Sequence, residues 1–234
     1  MRSVSAFQCL SDLEPGDHSC WIYKTDEDHR PLLTSFIREG LERSEKVLYI
    51  VDVSTADQVL DYLRDDGVEV GVYVERGQLE ILTADETCMR EGAFDPDGMI
   101  ALLKHEMDRA LGKGYSPLRV SGEMTWALRG LPGSQCLVEY EAKLNEFYPG
   151  SKCLAMCQYD GRRFEPALLL DVLTTHPIAV IGTEVFDNFY YIPPKDFLGP
   201  DPEGAKLRNW LQNLTERKRT EEMLRGFLRE LSSV

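Results

Sequence analysis

The chain has 234 residues, 43% of them apolar, and 26 Lys and Arg stand against 40 Asp and Glu for a formal net charge of -14. That size suits one globular domain of about 190 residues with a helical tail and leaves no room for a second full domain. The acidic balance, with no Lys/Arg run outside the tail, argues against nucleic acid or an anionic membrane as partner.

The longest apolar runs, residues 48–53 and 178–182, fall far short of the roughly 20 residues that span a bilayer. The N-terminus shows no signal-peptide core, so a cytoplasmic protein is expected. Six cysteines, Cys9, Cys20, Cys88, Cys136, Cys153 and Cys157, form no CxxC pair. Reduced thiols fit this pattern, several of them filling the core.

In chain order, an apolar strand at residues 20–23 precedes a helical pattern at Leu32, Leu33, Phe36, Ile37 and Leu41. A buried-strand run at 47–53 is followed by a helix over about 55–64 and a strand at 79–82. The spacing then predicts helices at 99–111, 136–147 and 166–174, each leading into a strand, at 118–121, 152–159 and 178–182. Residues 185–192 read as a closing edge strand. Continuous apolar strands alternating with amphipathic helices imply a mostly parallel sheet covered on both faces, a three-layer α/β sandwich.

A Pro-rich break at Pro193, Pro194, Pro200 and Pro202 separates this unit from the tail. There a 3,4 spacing aligns Leu207, Trp210, Leu214, Arg217, Glu221, Leu224, Leu228 and Leu231 as a coiled-coil seam. The division expected is a domain over 1–192, a linker over 193–205 and a signalling helix over 206–234. Dimerisation is expected through Leu207, Trp210, Leu214, Leu224, Leu228 and Leu231. The charged pair Arg217 and Glu221 costs seam stability but can fix register, as suits a transmitter. The alternative is an amphipathic helix folded back on its own domain. Residues 215–225 resemble the helix that follows sensory domains in histidine kinases.

Ligands of such sheets bind outside the carboxyl ends of the strands. The order of elements resembles the RecA/KaiC-like ATPase fold, whose first strand should lead into G-x-x-x-x-G-K-[ST] so that backbone N–H groups cradle phosphates. Here Tyr23, Lys24, Thr25, Asp26, Glu27, Asp28, His29 and Arg30 follow instead, with no glycine and three carboxylates. A nucleotide-binding pseudo-ATPase, with Asp52, Glu123 or Asp160 holding magnesium, is the alternative reading, and an acidic scaffold without a small ligand is a third.

Four blocks carry a closer resemblance: residues 18–26 (HSCWIYKTD), 121–126 (SGEMTW), 157–160 (CQYD) and 170–177 (LDVLTTHP). In order and spacing they resemble the MEDS family, the methanogen/methylotroph, DcmR sensory domain. The resemblance implies a degenerate RecA-like fold and a sensory module for small organic compounds.

At the rim, Glu123 offers one carboxylate beside the polarizable surfaces of Met124 and Trp126, which suits a small apolar ligand with one polar handle. The ligand-binding set expected is Tyr23, Asp52, Glu123, Met124, Trp126 and Tyr159. The competing reading has Glu123 capping Arg162 or Arg163 and Trp126 packing under a helix. His18 and Cys20 could bring two ligand atoms to a metal, but no third or fourth is evident in the sequence, so no metal and no cofactor are expected. Cys153 and Cys157 read as core, and His176 before Pro177 reads as a structural histidine. No catalytic arrangement is evident, so the expectation is a non-enzymatic sensory input domain. Its expected partners are a small organic ligand, a second copy of the chain, and a downstream kinase or other output domain.

Overall fold

Eight strands form one sheet in the order β1-β8-β7-β2-β6-β5-β3-β4, in a computed structural model that describes residues 8–231. The strands are β1 (Gln8–Cys9), β2 (His18–Tyr23), β3 (Lys46–Val51), β4 (Leu79–Thr83), β5 (Leu118–Glu123), β6 (Cys153–Asp160), β7 (Ile178–Ile181) and β8 (Glu184–Asp187). From β7 to β4 all neighbours are parallel, while β8 pairs antiparallel with β7 and β1 antiparallel with β8. Every residue of β3 and β6 is buried, as central parallel strands covered on both faces must be.

The helices are α1 (Asp26–Glu42), α2 (Ala56–Asp65), α3 (Val70–Glu75), α4 (Pro96–Gly112), α5 (Leu137–Phe147), α6 (Pro166–Thr175), α7 (Pro194–Phe197) and α8 (Pro202–Leu231). On one face, apolar residues of α1, α2 and α3 pack with Val47, Tyr49 and Val51 of β3. On the other, Met99 and Leu103 of α4, Tyr140 and Leu144 of α5 and Val172 of α6 pack with Leu48, Val120, Ala155 and Cys157. Helices α1, α2 and α4 start at side-chain caps. Thr25 accepts from the Asp28 N–H at 3.0 Å, and Thr55 and Gln58 form a reciprocal capping box. Asp26, Glu27 and Asp28 fall in the first turn of α1, where the helix dipole favours negative charge.

Two expectations need correction. The closing strand ends at Asp187, not 192, and β1 lies outside it, so β8 is not the sheet edge. The short helix α3 was not anticipated, because Val70, Val72 and Val74 alternate as a strand would.

The tail is one helix of 30 residues that does not fold back on the domain. Leu207, Trp210, Leu214, Leu224 and Leu228 are all exposed, Leu214 to 64%. Its base is fastened by Lys206 to Asp171 at 2.7 Å, by Asn209 and Asn213 donating to the Phe189 carbonyl, and by an edge-on contact of Trp210 with Tyr190. The helix begins inside the stretch expected as linker. Residues 1–7 and 232–234 of the expected division, and the side chain of Leu231, lie outside the described residues. Among the described residues, no helix is long and apolar enough to cross a membrane.

Candidate functional site

Strands β2, β3, β5 and β6 end at one rim, and the residues expected there separate into three environments. Glu123, the last residue of β5, is buried. Its Oε2 accepts the consecutive backbone N–H groups of Asp52, Val53 and Ser54 at 2.8, 2.7 and 3.0 Å. The loop after β3 thus forms an anion-binding nest that the chain fills with its own carboxylate. Glu123 caps neither Arg162 nor Arg163, contrary to the competing reading; Arg162 instead binds both carboxylate oxygens of Asp160 and reaches Asp26 at 2.8 Å.

Asp52 faces away from Tyr23. It accepts from the Thr125 hydroxyl at 2.6 Å and pairs with Arg129, which also holds Asp85. Tyr23 borders a polar cleft of about 200 Å³ with His29, Gln58, Glu123, Asp160 and Arg162. Burial, with Asp160 and Glu123 nearby, raises its hydroxyl pKa, so it remains un-ionised. Within this cleft Arg162 pairs with Asp160 and Asp26, and Glu123 is taken up by the backbone N–H groups of the β3 loop.

Met124 and Trp126 belong to a 3-10 run, Met124–Arg129, that turns inward behind the sheet. Gly122, before Glu123, does not form a turn. It lies within β5, where a side chain would meet Ile50 Cβ at 3.4 Å. Met124 and Trp126 line a small apolar cavity of about 30 Å³ between the sheet and α4 and α5, with Met99, Leu103, Tyr140 and Cys157. Such a space accommodates a molecule of only a few heavy atoms. Trp126 is fully buried against Phe94, with ring centroids 4.2 Å apart, and its indole N–H has no acceptor.

Tyr159 leads to a third place. Its hydroxyl donates to Oε1 of Glu141 at 2.5 Å. The other oxygen, Oε2, lies 3.1 Å from His18 Nε2, 3.3 Å from His176 Nε2 and 3.6 Å from Cys157 Sγ. Cys157 Sγ is also 3.6 Å from His18 Nε2. The four residues are buried, and their potential ligand atoms all fall within 4.8 Å of one another. Cys20, expected beside His18, is paired in register with Cys157 but is not a member of this group.

Asn145 Oδ1 meets His18 Nδ1 at 3.0 Å, while its Nδ2 donates to the carbonyls of Glu141, Ala142 and Thr175. The Val172 carbonyl meets His176 Nδ1 at 2.8 Å. Burial alone would raise the Glu141 pKa; His176 and His18, when protonated, outweigh it and hold the carboxyl below its usual range. Burial, then the neighbouring His176, lowers that of His18. Burial and Glu141 push the Cys157 thiol up.

Cys157 and His176 were read as core and structural residues, and Glu141 and Asn145 were not singled out. The available signal was on α5, where a carboxylate and an amide fall in the stripe of Leu137, Tyr140, Leu144 and Tyr148 that should be apolar.

Comparisons with known proteins agree with this fold and these blocks. A KaiC-like protein, PH0186, from Pyrococcus horikoshii OT3 superposes with a TM-score of 0.51 at 15% identity, over 70% of each chain; the likeness is one of fold. The transcriptional repressor DcmR of Methylorubrum extorquens (strain DSM 6343 / CIP 106787 / DM4) is 28% identical over 169 residues, 70% of this chain. The chain spans 60% of the length of that relative. The family model described as MEthanogen/methylotroph, DcmR Sensory domain matches residues 17–177. The four sequence blocks, the RecA-like sheet and this match over most of the chain agree, and the protein belongs to the MEDS family of sensory domains.

Proposed function

We propose that the chain is the input domain of a signal-transduction protein, that it binds a small, mostly apolar organic molecule carrying one hydrogen-bond acceptor, and that a dimeric helix relays the bound state to an output domain, a kinase or another effector. The observation that carries this reading is the cavity behind β5 and β6: its lining is mostly apolar, with Ser121 and Glu123 among the few polar residues, and one of its residues, Trp126, has a buried indole N–H with no acceptor. A buried donor without an acceptor costs about 1–3 kcal/mol, which an incoming acceptor atom would recover.

A physical connection to the tail supports the relay. Asn188 donates to the carbonyls of Leu173 and His176 at 2.6 and 2.8 Å, and the Ile192 N–H donates to Thr174 at 2.8 Å. The segment between them supplies the Phe189 and Tyr191 carbonyls that hold Asn209 of α8. A shift of α6 against the sheet therefore bears directly on the base of α8. The exposed apolar row from Leu207 to Leu228 is the surface on which a second copy pairs.

The test is native mass spectrometry of the purified chain with and without ATP and Mg²⁺, alongside Ala155→Val, which adds two methyl groups to the cavity wall. A dimer that carries a small organic mass, lost in Ala155→Val, supports the reading. A stoichiometric ATP or ADP adduct would replace it with the pseudo-ATPase.

A further inference from the structure

We propose that His18, Glu141, Cys157 and His176 form a closed, four-coordinate site for a divalent metal of the zinc class, inside the domain and in the wall of the apolar cavity. This inference is independent of the ligand reading above.

The first argument is metric. A tetrahedral zinc with bonds of about 2.0–2.2 Å to nitrogen or oxygen and about 2.3 Å to sulfur sets ligand atoms roughly 3.3 Å apart for N and O and roughly 3.6 Å apart for S and N or O. The Nε2 to Oε2 separations are 3.1 and 3.3 Å, and those of Cys157 Sγ to His18 Nε2 and Glu141 Oε2 are both 3.6 Å. Four of the six edges of a coordination tetrahedron are met, and the remaining two separations lie within 4.8 Å.

The second argument concerns protons. The Val172 carbonyl can only accept, so His176 carries its hydrogen on Nδ1. Asn145 is oriented by the three carbonyls its amide serves, which leaves its oxygen for His18 and places that hydrogen on Nδ1 as well. In the neutral imidazoles both Nε2 lone pairs then point at the Glu141 carboxylate and the Cys157 sulfur. Without a metal the Cys157 thiol can direct its one hydrogen at Glu141 Oε2, but neither Nε2 brings another, and a cation that displaces the thiol proton is what would satisfy all four atoms. A proton on His18 could bridge to Glu141, but the fully buried Nε2 of His176 would still lack a hydrogen bond despite its 3.3 Å approach.

The third argument is charge and support. A divalent ion with one carboxylate, one thiolate and two neutral imidazoles sums to zero, which removes the penalty of burying an isolated charge. Each non-sulfur ligand is fixed from behind: Asn145 and Val172 hold the two Nδ1–H groups, and Tyr159 holds Oε1 so that Oε2 faces inward. Sulfur and imidazole donors exclude magnesium and calcium, which take oxygen. Four protein ligands leave no open position, so the ion would tie α5 and the α6–β7 corner to β2 and β6 without hydrolytic chemistry.

The test uses the full, untagged chain purified without chelator. Elemental analysis should find about one zinc per chain. After removal of metal, cobalt(II) should produce the intense visible bands of tetrahedral coordination and a sulfur-to-cobalt charge-transfer band. Cys157→Ser should keep the visible bands and lose the charge-transfer band, and Tyr159→Phe should weaken zinc about 10–100-fold. If the cysteine variant fails to fold, the wild-type cobalt spectrum decides alone. Substoichiometric metal, together with no tetrahedral cobalt spectrum in a metal-free chain whose near-ultraviolet circular dichroism is native, would overturn the site and leave a hydrogen-bonded cluster.

Discussion

The carboxylate of Glu123 takes the backbone N–H of Val53 at 2.7 Å, the shortest of three such bonds that fold the loop after β3 onto the end of β5. Bonds to a charged acceptor contribute about 1.5–3 kcal/mol each and do not add fully. Glu123→Ala should therefore lower stability by about 3 kcal/mol, and Glu123→Gln, which retains one oxygen, by about half as much. Urea denaturation measures both. Equal stability of all three proteins would mean that solvent serves this nest as well as Glu123 does.

Asp160 binds Arg162 and is held below the ordinary value of 3.8, because the hydrogen bonds of Arg162 outweigh burial. A group whose folded pKa is depressed contributes stability above its unfolded pKa and loses it as pH falls through the folded value. This contribution is complete above about pH 4 and disappears below it. Asp160→Asn should flatten the acid limb of stability against pH there, and leave the slope near neutrality unchanged. Thermal melting at stepped pH tests it; an unaltered acid limb would show that Asp160 is not involved.

Gly40 lies where α1 crosses the buried ion pair of Arg119 with Glu45. A methyl group there would sit 2.7 Å from Arg119 Cδ and 2.8 Å from Val47 Cγ2. Overpacking costs about 1–3 kcal/mol, against about 1 kcal/mol gained by replacing glycine inside a helix. Gly40→Ala should be destabilised by up to about 2 kcal/mol on denaturation in urea, and a stabilised variant would mean that Arg119 moves aside freely.

Arg217 and Glu221 pair within α8 at 3.3 Å and are largely exposed. If they occupy the middle of a seam between two copies, replacing both by leucine should tighten the dimer at least about tenfold, as sedimentation equilibrium would show. Leu214→Asn should loosen it. Unchanged association in both variants would place the dimer contact elsewhere or remove it.

The sheet was legible because central parallel strands must be apolar on both faces: the stretch at 47–53 could only be such a strand, and β3 is buried throughout. The helix α3 and strand β1 were not legible, the first because three alternating valines mimic a strand, the second because two residues carry no periodicity. Glu123, Met124 and Trp126 were found from the rule that loops at strand ends carry the chemistry. Their separation into a nest and a cavity was not, since it depends on which way a 3-10 turn leaves the sheet. The cluster around Glu141 was harder still. His18 and Cys157 are 139 positions apart, and only the pairing of β2 with β6 and the packing of α5 bring them together.

The hydrogen bonds that fasten α8 at its base, from Lys206 to Asn213, make it a lever. Beyond Asn213 some 18 residues extend to Leu231, about 27 Å at 1.5 Å per residue. A tilt of about 10° at the Phe189 carbonyl would sweep the far end sideways through roughly 5 Å. A displacement within the domain too small to alter its packing would thus arrive at the distal end as a lateral shift of several ångströms.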